Sequence, residues 1–354
     1  MQATDSRNNP VVQLGDGLRN IFAKTGALPF LLVILVVVFQ LANSRFLGRQ
    51  NMVDMLHEGV FLALASLGQM FILVSGGFDL SIGSNIALTS ISSASVMAAV
   101  YGAHPGAAGL AIAAGAATAV VVGLVVGLVN GVGVAVLGVN PFIVTLATAS
   151  AFQGITLLIS QGQEVGGLPN AFIMGVGSGS WLGLPIAGWV TLPLVLGLYV
   201  LLAWSRYGRY IFAIGSNAAA ARVAGVRVGL QVLATYVICA VATAIAGFLL
   251  TARVSAGEPL LGAEYTLQSI TAAVIGGASL RGGQGSIGGT LLGVVFVIFL
   301  ADGMDLMRLG SNHEMIALGL ALIFAVVADR QRAKAVAAGY QKRLISQSDP
   351  ATEG

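Results

Sequence analysis

The chain has 354 residues, and its 17 Lys plus Arg and 14 Asp plus Glu make 9% charged, where a soluble domain carries about 25%. Hydrophobic residues reach 56%, Gly occurs 48 times and mean hydropathy is +0.90, which excludes an ordinary soluble domain and predicts an all-α integral membrane protein with close helix packing. The net charge of +3 is thinly spread with no interleaved stacking platform, so nucleic acid is not an expected partner, and the single Cys239 excludes a disulfide framework or a Cys-based metal site.

A spanning helix needs about 20 mostly apolar residues. Ten candidate segments follow in chain order, near 26–43, 57–75, 83–101, 107–136, 142–160, 188–204, 230–252, 266–276 (extended in one direction or the other), 286–302 and 312–328. They leave an N-terminal segment 1–25, a transmembrane region 26–328 and a tail 329–354. The first apolar segment is read as an uncleaved anchor, because the stretch before it is longer than a usual signal-peptide n-region and contains both Arg and Asp. Between the fifth and sixth segments, Gln161 to Ala187 is rich in Gly and Pro and contains Trp181, which reads as an interfacial loop or re-entrant piece.

Cytoplasmic loops are enriched in Lys and Arg. With ten spans and both ends inside, thirteen of the seventeen basic residues fall on the cytoplasmic side, and only Arg45, Arg49, Arg253 and Arg308 fall outside. An internal repeat supports the count. Gly76-Gly77-Phe78-Asp79-Leu80-Ser81-Ile82-Gly83 echoes Gly276-Gly277-Ala278-Ser279-Leu280 followed by Ser286-Ile287-Gly288, six spans later, so the halves are expected to be parallel repeats of the kind found in transporters.

Several catalytic classes lack their residues. No P-loop is present, so ATP must be handled by another chain; His57-Glu58 and His313-Glu314 lack the second His of a zincin; there is no G-x-S-x-G elbow. Gly283, Gly285 and Gly288 form G-x-G-x-x-G, but after an apolar helix, which reads as a helix-hairpin turn. Gly123, Gly127 and Gly131 form overlapping G-x-x-x-G units, expected to pack within the chain. Two neutral polar stripes stand on helix faces: Asn85, Thr89, Ser92 and Ser93 on the third span, and Thr145, Thr148, Phe152 and Thr156 on the fifth. Such side chains usually bond their own backbone or a neighbouring helix; lining a solute path is the sharper alternative. No Lys or Arg falls inside a span and the carboxylates sit in loops or at span ends, with Asp79 the most membrane-like. That pattern suits an uncharged polar solute with no proton relay, energised from outside the chain.

Energy can enter through the segment 205–229. It contains Gly215-Ser216-Asn217 and then Ala218 to Gly225, which predicts a short surface helix over 218–224, N-capped by Asn217 and ended by Gly225. Such a knob can be a plain interfacial element or can dock on a soluble partner.

Three blocks in order resemble a known family, the permease subunit of bacterial ABC importers for monosaccharides (ribose, xylose and autoinducer-2 type). They are Gly76 to Gly83, Asn140-Pro141-Phe142-Ile143-Val144-Thr145-Leu146, and Ala273 to Thr290. The 217–225 helix resembles that family's coupling segment; Ala220, Ala221 and Gly225 match, while Ala219 stands where the family carries Glu. The resemblance implies a type II importer-like bundle in the inner membrane with both termini cytoplasmic. It also implies a second permease copy or paralogue, an ABC ATPase subunit that carries ATP and Mg, and a periplasmic sugar-binding protein, with coupling through Gly215, Asn217, Ala220, Ala221, Arg222 and Gly225. This chain itself is then no enzyme and holds no cofactor or metal. Competing readings are an autonomous facilitator or channel, a branched-chain amino-acid permease, and a membrane-embedded enzyme, the last lacking any convergent His, Asp, Glu or Cys set in the spans.

Overall fold

The structure is a computed structural model describing residues 28–327. The segments 1–25 and 329–354, with their basic residues, lie outside the described residues. Eleven helices follow one another: α1 Leu28–Ala42, α2 Arg49–Val74, α3 Ile82–Ala103, α4 Ala108–Ala135, α5 Pro141–Ser160, α6 Ile186–Ala203, α7 Arg206–Val223, α8 Val228–Val254, α9 Tyr265–Ile275, α10 Ile287–Leu306 and α11 Gly310–Val327. Among the described residues eight of these are long and apolar enough to cross a bilayer, while α1 (15 residues) and α9 (11 residues) are shorter. The ends are set by local chemistry. Asn140 caps α5 by accepting the Phe142 N–H, with Pro141 in the first helical position where a missing N–H costs nothing.

Two expectations need correction. The second span begins at Arg49 rather than near 57, because the polar turn Arg49 to Leu56 stays helical. Its polar groups find distant partners: Asn51 donates to Asp302 at 2.6 Å, and Arg253 lies 3.7 Å from Asp54 and 3.9 Å from Glu58. The eighth span is not extended in either direction. At 1.5 Å per residue α9 covers about 16 Å, roughly half of a 30 Å hydrocarbon core. Upstream of it Gly257, Pro259 and the positive-φ Gly262 hold 255–264 out of the helix. The irregular backbone is satisfied by protein, as membrane depth requires: Gly257 exchanges two hydrogen bonds with Val165, Glu258 N–H donates to Ser90 Oγ, and the Pro259 carbonyl accepts from Gln153.

Helix α8 is the central post. Gly123, Gly127 and Gly131 of α4 lie directly on it, so that a methyl group at Gly127 would stand 2.6 Å from Val237 Cα and 3.0 Å from the Tyr236 carbonyl. The G-x-x-x-G seam is thus intrachain packing. On another side Gly68 of α2 meets Cys239, and α2 is buried from Val60 to Ser75. Helices α5 and α6 expose most of their apolar length. The segment 161–187 folds back at one end of the bundle: a π-helical turn, Ala171–Gly177, seats Phe172 against Phe248 with ring centroids 4.9 Å apart, and a tight hairpin pairs Ser180–Trp181 with Leu184–Pro185.

Candidate functional site

At the end of the bundle opposite Trp181, three helices finish in the same way. Gly76, Gly277 and Gly225 each have positive φ (83°, 95° and 84°), a conformation glycine adopts without a Cβ penalty. The residue after each sends its N–H five residues back: Gly77 to Ile72, Ala278 to Ala273 and Val226 to Ala221, the Schellman pattern. This geometry corrects the register of the repeat. Gly76 corresponds to Gly277, so Gly77 matches Ala278, and Gly276 is the cap residue of α9. Beyond the caps both hairpins hold a similar side-chain turn, one residue out of that register, and the second is longer before its helix begins. The Asp79 carboxylate accepts from Ser81 N–H as Ser279 Oγ accepts from Arg281 N–H, and helices start after Ser81 and Ser286.

The expected surface helix is present, with a fuller context. Helix α7 is two pieces divided at Asn217, whose φ of −162° and ψ of 96° are extended. Asn217 Oδ1 accepts the Ala220 N–H at 3.0 Å, so it caps the second piece as its sequence suggests. The first piece is anchored in the bundle: Tyr207 stacks on Phe71 at 6.4 Å and shares a 2.8 Å hydrogen bond with Thr235 Oγ1, and Ile211 and Ile214 are buried. Burial pushes the Tyr207 phenol far above its ordinary range. The second piece stands out. Asn217, Ala218, Ala219, Ala220, Arg222 and Gly225 are exposed, Ala221 is buried, and Val223 is 91% exposed. Val223 was missed by sequence reasoning; an apolar side chain so fully exposed beyond the spans is the signal that could have marked it.

Around Asp79 a second group is buried. Asp79 Oδ1 accepts from both the N–H (2.7 Å) and the Oγ–H (2.6 Å) of Ser81; Ser81 Oγ accepts from Asn130 Nδ2 at 2.8 Å; Asn130 Oδ1 accepts from Thr148 at 2.6 Å. This chain of polar groups ties the first repeat hairpin to α4 and α5. Asn130, buried in an otherwise apolar span, was passed over, although a lone amide there is costly without a partner. Burial raises the Asp79 carboxyl above its usual range, opposed by the Ser81 hydrogen bonds. A carboxyl with a raised folded-state pKa removes stability as pH climbs from its unfolded value through the folded one. Asp79→Asn keeps the acceptor and removes the charge, so its detergent unfolding temperature is expected to match wild type near pH 4 and exceed it increasingly toward pH 8. A gap that closes as pH rises would contradict this account.

The six residues considered for a solute path sit at the joint of α3, α5 and α8. Asn85, Thr89, Thr145, Phe152 and Thr156 are buried and Thr148 is half-buried. Asn85 donates to the Ala240 carbonyl and accepts from Thr89; Thr145 and Thr156 bond the carbonyls one turn back; Phe152 packs with Leu88, Val126 and Ala240. In this conformation they hold helices together.

Comparison with known proteins fits this architecture. The chain is 37% identical over 306 residues to the ribose import permease protein RbsC of Bacillus subtilis (strain 168), covering 86% of this chain and 92% of that one. It is 33% identical to RbsC of Escherichia coli (strain K12), covering 85% and 92%, and 34% identical to the L-arabinose transport system permease protein AraH of the same strain, covering 86% and 91%. No solved structure matches. Residues 51–327, nearly all of the described bundle, match the family described as the permease component of branched-chain amino acid transport systems, and the chain is a multi-pass membrane permease component belonging to that family.

Proposed function

We propose that the chain is the membrane-spanning subunit of an ABC importer that carries a neutral monosaccharide or related polyol into the cytoplasm by alternating access. The single observation that carries the coupling half of this reading is the knob Asn217 to Gly225: a capped helix of small exposed residues, outside the spans, with Val223 presented to solvent. A separate ATPase subunit, bearing ATP and Mg, docks there through Asn217, Ala220, Arg222 and Gly225, with Ala221 buried beneath that surface and Gly215 packed behind it against Val74 and Gly283. The knob, both termini and the 205–229 loop then face the cytoplasm, in line with the basic-residue asymmetry. A periplasmic sugar-binding protein delivers the solute at the opposite end, and a second permease copy or a paralogue covers the apolar faces that α5 and α6 leave open. This chain itself then carries no catalytic group, cofactor or metal.

The solute class is supported by relatives named for ribose and L-arabinose import, and by the placement of basic side chains: among the described residues none stands in the middle of a spanning helix to hold a carboxylate, and Arg253, near a helix end, pairs with Asp54 and Glu58. Asn85, Thr89, Thr145, Thr148, Phe152 and Thr156 line the path when α3 and α5 part, their hydroxyls and amides exchanging internal hydrogen bonds for sugar hydroxyls.

Proteoliposomes holding the permease, its co-purifying ATPase and the matching binding protein test the reading with labelled ribose, arabinose and leucine. Uptake of a neutral sugar is expected only with ATP on the face bearing the knob. Sugar flux through the permease alone would make it a facilitator, and leucine uptake at the sugar's rate would overturn the solute class.

A further inference from the structure

The first piece of α7 ends on a backbone junction. Gly283 N–H, from the second repeat hairpin, donates at 2.8 Å to the carbonyl of Val74, one of the last of α2, just before the first repeat hairpin. Gly215 lies against both: a methyl group there would overlap the Val74 carbonyl and stand 2.5 Å from Gly283 N. A methyl at Gly282 would stand 2.7 Å from the Gly215 carbonyl and 3.0 Å from Gly76 Cα, and one at Gly283 would stand 3.1 Å from Ser216 Cα. Three segments far apart in sequence thus meet main chain to main chain, two residues before the Asn217 break.

We infer that this junction fastens the knob to both repeat hairpins, so that the three move as one rigid body, and that Gly215 is the positioning residue through which displacement of the knob reaches both halves of the bundle. The inference rests on the docking of an ATPase at the knob. Its physical basis is that side-chain contacts can re-pack as a surface moves, whereas backbones in direct contact have no soft atoms between them and transmit displacement undiminished. Asn217, extended between the two pieces of α7, joins the knob to the junction, and its side chain, accepting the Ala220 N–H, holds the knob in one orientation.

Gly215→Ala tests this in the full complex. The added methyl wedges the three backbones apart while the knob's surface is unchanged, so the ATPase should still co-purify and hydrolyse ATP near the wild-type rate, with sugar uptake down on the order of tenfold. Wild-type uptake by Gly215→Ala would overturn the inference. A second measurement needs no variant at the junction: with Cys239 replaced by Ala, spin labels at Ala224, which is exposed and outside the docking surface, and Arg281 should report one distance peak that does not move between nucleotide-free and ATP-bound complex. A peak that moves would overturn the inference even if Gly215→Ala fails to accumulate. Failure of the docking reading has a different signature, an ATPase that does not co-purify with wild-type permease or that binds Gly225→Trp as well as wild type.

Discussion

Gly225→Trp is expected to abolish ATP-driven sugar uptake while the permease still inserts, folds and purifies at near wild-type yield. Gly225 closes the knob with φ of 84°, and a methyl group built there would meet no atom of the chain within 4 Å. Inside the chain the cost is therefore only the left-handed backbone conformation, about 1–2 kcal/mol for a residue with a Cβ. Outside it, the indole covers the small surface formed by Ala218, Ala219, Ala220 and Gly225, and a partner that approaches that backbone closely is held off. Ala219→Glu places a carboxylate in the first turn of a helix, where the dipole favours it, and should be tolerated or should strengthen docking. Uptake and hydrolysis in proteoliposomes with the ATPase decide the matter; wild-type uptake by Gly225→Trp removes the knob from the coupling route.

Gly127→Leu should have the opposite profile, with loss of the folded bundle and of all activity together. The seam of α4 on α8 is tightest there, with Val237 Cα 2.6 Å and the Ala240 methyl 3.1 Å from where a Cβ would stand. Backbone cannot move aside as a side-chain tip can, so the two longest helices would be levered apart along the line that Gly123 and Gly131 also occupy. Overpacking usually costs about 1–3 kcal/mol, and this site falls at or above the top of that range. The control is Gly154→Leu on α5, an exposed helical glycine with no atom within 4 Å of its Cβ position, which should leave unfolding in detergent unchanged. If both variants unfold at the wild-type temperature, the seam is not what holds α4 to α8.

What the sequence makes legible follows from the solvent. A bilayer demands runs of Val, Leu, Ala and Ile with clear ends, so α3, α4, α5, α6 and α8 can be placed closely from hydropathy, and Asn140, Asn217 and Gly225 mark ends through local hydrogen bonds and backbone freedom. The turn Arg49 to Leu56 reads as loop because its polar groups are answered from 199 to 251 residues away, Asp54 by Arg253 and the Asn51 amide by Asp302. The turn-rich stretch 255–264 includes Leu260 and Leu261 and looks able to prolong α9; it stays irregular because Val165, Ser90 and Gln153 satisfy part of its backbone from other elements. The candidate site divides in the same way. The knob is local and was visible, whereas the meeting of Val74, Gly215 and Gly283 joins glycines whose individual signals are those of ordinary turns.

The glycine seam also bears on how the protein is made. Roughly 90 residues separate the end of α4 from the start of α8, so at about 5–20 residues per second of synthesis the seam waits on the order of 5 to 20 s in the membrane before its partner helix leaves the ribosome. During that interval Gly123, Gly127 and Gly131 form a bare small-residue face of the type that draws lipid-embedded helices together. A nascent chain is therefore open to pairing with its neighbour on the same polysome. Chains released before Val228 should accumulate as seam-linked dimers that Gly127→Leu disperses, which makes the emergence of α8 the step that commits the first half of the bundle to its own molecule.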